Sequence, residues 1–288
     1  MSKAALASAV VVAGIALLAL LAPAIAPYDP LEQDLANNYA GPSREHLLGT
    51  DDLGRDIWSR LLYGGRVSLG IAFTSVGFAL VAGTLVGLLS AYYGGWVDSS
   101  LMRLMDVLLA LPGILLGIAV VVVLGSGIGN TVIAVAVMST PTFARLARAS
   151  ALTILARDHV AASRAVGASA PRILLGQVLP NALTPLVVAS TLQLGTAVLI
   201  ASGLSFLGLG VAPPHPEWGA MLSKGRELVR ATPVAAFAPG FFLTVLVLSF
   251  SLLGDGLRDA LDPKHRRSGR ARPKRIASEL LSGTGGKS

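Results

Sequence analysis

Five stretches of this 288-residue chain, 4–28, 67–97, 107–144, 173–216 and 231–254, contain no Asp, Glu, Lys or Arg. Each is long enough to cross a hydrocarbon core, which takes about 20 apolar residues in a helix. Lipid offers no partner for a free amide or carbonyl, so a chain with such windows spans as helices that satisfy their own backbone. The 53% hydrophobic and 14% charged composition agrees with a bilayer as solvent, since soluble domains carry about 25% charged residues. With no Cys, the chain alone holds no disulfide, thiolate metal site or cysteine nucleophile.

The third window is about two spans long, and Gly125-Ser126-Gly127-Ile128-Gly129-Asn130 divides it with turn-forming residues. The fourth holds one span, about 182–202; the Gly- and Pro-rich LSFLGLGVAPPHPEWG that follows argues against another crossing. The expected fold is therefore an all-α integral membrane protein with about six transmembrane helices. The first window could be a secretory signal, but its apolar run is long for one, and Pro27 after Ala24-Ile25-Ala26 disfavours cleavage. It reads as an uncleaved helix.

Positive segments resist translocation. Residues 28–66 hold Arg44, Arg55, Arg60 and Arg66 against seven acids, whereas Arg145, Arg148, Arg157, Arg164 and Arg172 face only Asp158. The first segment is expected outside and the second inside, which puts both termini in the cytoplasm. Of the 23 Lys and Arg, nine follow Gly254. A basic tail beside a span marks the cytoplasmic side and contact with anionic membrane lipid rather than nucleic acid. Three parts are expected: 1–66, a first helix with an extracytoplasmic amphipathic segment; 67–263, a core with five spans; and 264–288, a basic disordered tail.

Asp106 and Asp255 lie near span ends, where carboxylates are solvated or paired. Gly83 with Gly87, and Gly113 with Gly117, permit close helix approach, within one subunit or between two. Asp51, Asp52, Arg55, Asp56, Arg60 and Arg66 can pair along a helical face opposite Leu53, Ile57, Leu61 and Leu62. That segment reads as structural, with contact to a partner on the outer side as the alternative. Trp58, Trp96 and Trp218 suit interfacial belts. His46, His159, His215 and His265 form no metal spacing, no G-x-x-x-x-G-K-[ST] loop occurs, and Ser205 lies in GLSFLG rather than G-x-S-x-G. No catalytic residue, cofactor or metal is expected. A secondary transporter or channel would need ionisable groups at mid-membrane, which are scarce.

The most informative stretch is RDHVAASRAVGASAPRILLGQVLPNALTP. Asp158 can cap a short helix of small residues, Gly167 suits the left-handed position that ends it, and Pro171 opens a second helix that Pro180 perturbs. Such an Ala-rich helix fits a partner's groove, or is an ordinary interfacial helix; the residues alone favour the latter slightly. The segment resembles the cytoplasmic signature of binding-protein-dependent importer permeases: Glu-Ala-Ala, three residues, Gly, nine residues, Ile-x-Leu-Pro. Here these are Ala161-Ala162-Ser163, Gly167 and Gln177-Val178-Leu179-Pro180. Ala161 replaces the family Glu, Ser163 an Ala and Gln177 an Ile. A Glu at 161 could have closed a capping box with Asp158.

HLLGTDDLGRDIWSRLLYGGRVSLGIA and SGLSFLGLGVAPPHPEWGAML are also similar to stretches of the dipeptide, oligopeptide and nickel permeases. The resemblance implies a type I ABC importer transmembrane-domain fold and a solute path shared with a second, homologous permease in a heterodimer. It implies two ATP-binding subunits, an extracytoplasmic solute-binding protein and an inner-membrane location. A short cytoplasmic coupling helix, carried by Asp158, His159, Ala161, Ala162, Ser163, Arg164, Gly167, Leu179 and Pro180, would meet the ATPases. The substrate implied is a peptide.

Overall fold

The computed structural model describes residues 3–261; the basic tail lies outside the described residues. The chain forms α1 (Lys3–Leu20), α2 (Ala22–Ile25), α3 (Ile57–Tyr93), α4 (Gly95–Ala110), α5 (Gly113–Leu124), α6 (Ile128–Leu155), α7 (Asp158–Ala165), α8 (Ala170–Ile173), α9 (Leu179–Phe206), α10 (Trp218–Leu228) and α11 (Val234–Leu261). Among the described residues, five helical runs are long and apolar enough to cross a membrane. A sixth crossing exists only if α4 and α5, bent by 96°, count as one. The uncharged window beginning at 107 is therefore not a straight span. Pro112 lacks an N–H and restricts Leu111 to extended backbone, ψ 136°, so the helix breaks there. The expected break before α6 is present, with Gly125 and Gly127 at positive φ.

The centre is α3 packed along α6. Gly83 and Gly87 permit it: a Cβ at Gly83 would lie 2.6 Å from the Thr140 carbonyl, and one at Gly87 2.3 Å from that of Ala144. Cβ atoms on Gly113 and Gly117 would meet Met138, at 3.2 and 2.8 Å. Both glycine pairs thus pack helices of this one chain. Ser139 of α6 accepts from the Gln193 amide of α9 at 2.9 Å.

At the α10 end a polar cap closes the bundle. Residues 46–56 are not helical, contrary to the expected amphipathic helix; α3 begins at Ile57, where Asp56 caps it by accepting from the Ser59 N–H at 2.7 Å. The charges pair nonetheless. Asp51 binds Arg55 at 2.8 Å and Arg60 at 3.5 Å, Asp56 meets His46 at 3.0 Å, and Lys224 reaches Asp52 at 3.2 Å. Asp52 holds the Lys224 ammonium above its ordinary range, with Glu227 adding to it.

Trp218 does not sit in an interfacial belt. It is 2% exposed, pressed on Gly64 and Gly65, and its indole N–H donates to the Leu61 carbonyl at 2.8 Å. The glycines leave a slot in α3 that a flat ring fills. Trp96 is 82% exposed, as a belt residue would be. Beside Trp218, the fully buried Glu217 accepts from Ser68 at 2.8 Å, Ser202 at 3.2 Å and the Ala220 N–H at 2.9 Å, joining α3, α9 and α10.

Candidate functional site

At the opposite end, α6 turns into α7 through Ala156 and Arg157. Arg157, not Asp158, holds the cap position: its backbone is extended, and its carbonyl accepts from the Val160 and Ala161 N–H at 3.0 and 3.2 Å. Asp158 is the first helical residue and makes no cap bond. Its carboxylate favours the helix only by lying at the positive end of the dipole. Position 161 is consequently four residues beyond the cap, so a Glu there could not close the expected capping box, which needs a spacing of three.

One side chain of α7, Val160, is buried and anchors the helix. Asp158, His159, Ala161 and Ala162 are exposed, giving a free face of mostly small groups. Gly167 stands at φ +81° and donates to the Arg164 carbonyl, while the Ala168 N–H reaches back to Ser163, each at 3.0 Å. This doubly bonded turn satisfies two end carbonyls and depends on a residue that tolerates left-handed backbone. Among the described residues, nothing lies within 4 Å of a Cβ built on Gly167. Conformation, not crowding, selects glycine there.

Two further contacts fix α7 against the bundle. The Arg164 guanidinium lies 5.4 Å from the ring centre of Tyr92, at the end of α3. The Gln177 amide donates to the Ser163 hydroxyl at 2.7 Å, and that hydroxyl donates to the His159 carbonyl at 2.9 Å. Two of the three departures from the signature, at 163 and 177, therefore bind each other. Tyr92 and this pairing were not found from sequence: both depend on a fold that brings distant segments together.

Leu179 is half-buried and Pro180 exposed. Pro180 does not stop its helix. It would press on the carbonyl four residues back and has no N–H to give it; the preceding turn, Leu174–Val178, widens to π geometry, with the Leu179 N–H on the Leu174 carbonyl. Ala170 to Phe206 remains one helical run. Nearby, Asp98 of α4 takes both Nε and Nη2 of Arg148 in α6, at 2.6 and 2.5 Å, and accepts from Ser90 of α3. This bidentate pair ties three helices at the α7 end.

Among known families, the model described as "Binding-protein-dependent transport system inner membrane component" matches residues 83–267, a range that contains α7, Gly167 and Pro180. The chain belongs to that family. A second model, the N-terminal TM domain of oligopeptide transport permease C, matches residues 1–42. The dipeptide transport system permease protein DppC of Alkalihalophilus pseudofirmus is 43% identical over 263 residues, 91% of this chain and 86% of the relative. The di/tripeptide permease DppC of Pseudomonas aeruginosa is 48% identical, over 85% of this chain and 83% of its own. The glutathione transport system permease protein GsiD of Escherichia coli is 48% identical, over 86% and 82%.

Among solved structures, the inward-facing MetNI methionine ABC transporter matches with a TM-score of 0.57 and 23% identity, over 72% of this chain and 98% of that one. The last likeness shows the fold, that of the type I ABC importer membrane domain. The chain is thus a multi-pass inner-membrane permease subunit of an ATP-driven importer, working with ATPase and binding-protein partners rather than as an enzyme itself.

Proposed function

We propose that the chain forms one half of a peptide path, pairs with a homologous permease, and receives the motion of two ATPases through α7. The supporting observation is the shape of α7: an exposed face of small residues, anchored by Val160 and closed by the Gly167 turn, at the family's spacing. Small side chains suit a groove, and a helix fixed at both ends passes a push to α6 and α9 rather than bending. Nucleotide-driven closure would then shift the balance of inward- and outward-facing states.

Peptide as the solute is supported by the dipeptide and di/tripeptide relatives, with a glutathione permease at equal identity. In this reading α7 and both termini face the cytoplasm, the cap around Asp51 and Lys224 faces the binding protein, and the basic tail meets lipid. The absence of Cys makes the test clean. Ala161→Cys, in the assembled transporter, should crosslink to an ATPase subunit carrying an engineered groove cysteine, and di- or tripeptide should stimulate ATP hydrolysis. No crosslink from Ala161→Cys or His159→Cys, with uptake intact, removes the coupling role.

A further inference from the structure

The break between α4 and α5 falls at the middle of the bundle. Gly113 faces Met138, which adjoins Ser139; Ser139 bonds Gln193, and both bonded residues lie near the centres of their 28-residue helices. The hydrocarbon core covers this depth. Helix ends leave carbonyls without helical donors. Here Pro112 has no N–H, and among the described residues no donor outside the helix reaches the carbonyls of Leu108, Leu109 or Ala110. Yet Leu111, Ile114 and Leu115 are 48%, 45% and 54% exposed.

A break of this kind is tolerated at membrane depth only inside protein or against water, because each unpaired group in lipid costs several kcal/mol. A second observation points to water. Asp106, in the last turns of α4, pairs with Arg145 of α6 at 2.6 Å, and the two side chains are 58% and 53% exposed. Arg145 follows Thr142, itself exposed, by one helical turn toward the α7 end. The pair lies nearer the α7 end than the break does, and charges that open belong against water rather than lipid.

We infer that the Leu111–Pro112 break and the Asp106–Arg145 pair form a wall of the water-filled solute path. The α4 carbonyls there accept hydrogen bonds from the passing solute's ammonium or amide N–H groups. This rests on the importer reading above and adds where the solute touches this chain. The test uses single cysteines in the assembled transporter in membranes, treated with a membrane-impermeant, positively charged methanethiosulfonate, the subunit's mass shift being the readout. Leu111→Cys and Thr142→Cys should be modified, as should the exposed Arg172→Cys, which lies outside the coupling turn, while Val10→Cys on α1 stays unmodified. Dipeptide should slow the reaction at Leu111→Cys.

Silence at both Leu111→Cys and Thr142→Cys, with Arg172→Cys reacting, overturns the wall and leaves the break sealed by a partner subunit. Modification that dipeptide does not slow removes the solute contact. Modification itself needs no solute, so a wrong substrate assignment leaves that result unchanged, whereas it would show as absent peptide uptake by the unmodified transporter.

Discussion

Gly167 separates two reasons for a small residue at the end of α7. Its φ of +81° is one most side chains avoid, while a Cβ there meets nothing within 4 Å. A non-glycine residue in left-handed backbone costs about 1–2 kcal/mol, which is about five- to thirty-fold in the ratio of closed to opened turn. Asn reaches this region more readily than Ala, since its short polar side chain bonds locally. If the turn is what matters, Gly167→Asn should keep most peptide-stimulated ATP hydrolysis in the reconstituted complex, and Gly167→Ala should lose several-fold. If the partner's groove instead demands small volume, the order reverses. Ala equal to or better than Asn would refute the conformational argument, and Gly167→Arg alone, which disturbs both, would not distinguish them.

The Ser163–Gln177 bond should behave as a pair. Ser163→Ala strands the Gln177 amide, at about 1–3 kcal/mol, whereas the double change Ser163→Ala/Gln177→Ile removes donor and acceptor together; thermal unfolding in detergent should find the double variant more stable than Ser163→Ala alone, and simple additivity would contradict the pairing. At the other end, Glu217→Ala leaves the Ser68 and Ser202 hydroxyls and the Ala220 N–H without their buried acceptor. A loss of about 2–5 kcal/mol is expected, with Glu217→Gln milder because it keeps one carbonyl oxygen; unchanged melting of the Ala variant would show that the network does not hold the cap.

The membrane class, the break before α6 and the turn at Gly167 were legible from local signals: uncharged length, clustered glycines, and a glycine ending a short run of small residues. Each depends on residues adjacent in the chain, so sequence order carried the physics. The failures share the opposite property. Trp218 looks like a belt residue until Gly64 and Gly65, more than a hundred positions away, provide its slot. Asp158 is an ordinary cap candidate, but the path by which α6 enters α7 puts Arg157 in the extended position first.

The departures at 163 and 177 appeared as separate weaknesses in a motif, and only the fold showed that they bond to each other. The break at Pro112 was not read from the sequence, which divided that window only at 125–130, and its depth in the bundle was decided by the packing of Gly113 and Gly117 on Met138. Hydrophobic length alone determined that this chain crosses a membrane, because backbone satisfaction in lipid is counted along one helix. Which polar groups are buried, paired or left open was decided by tertiary structure, because those partners come from helices remote in sequence.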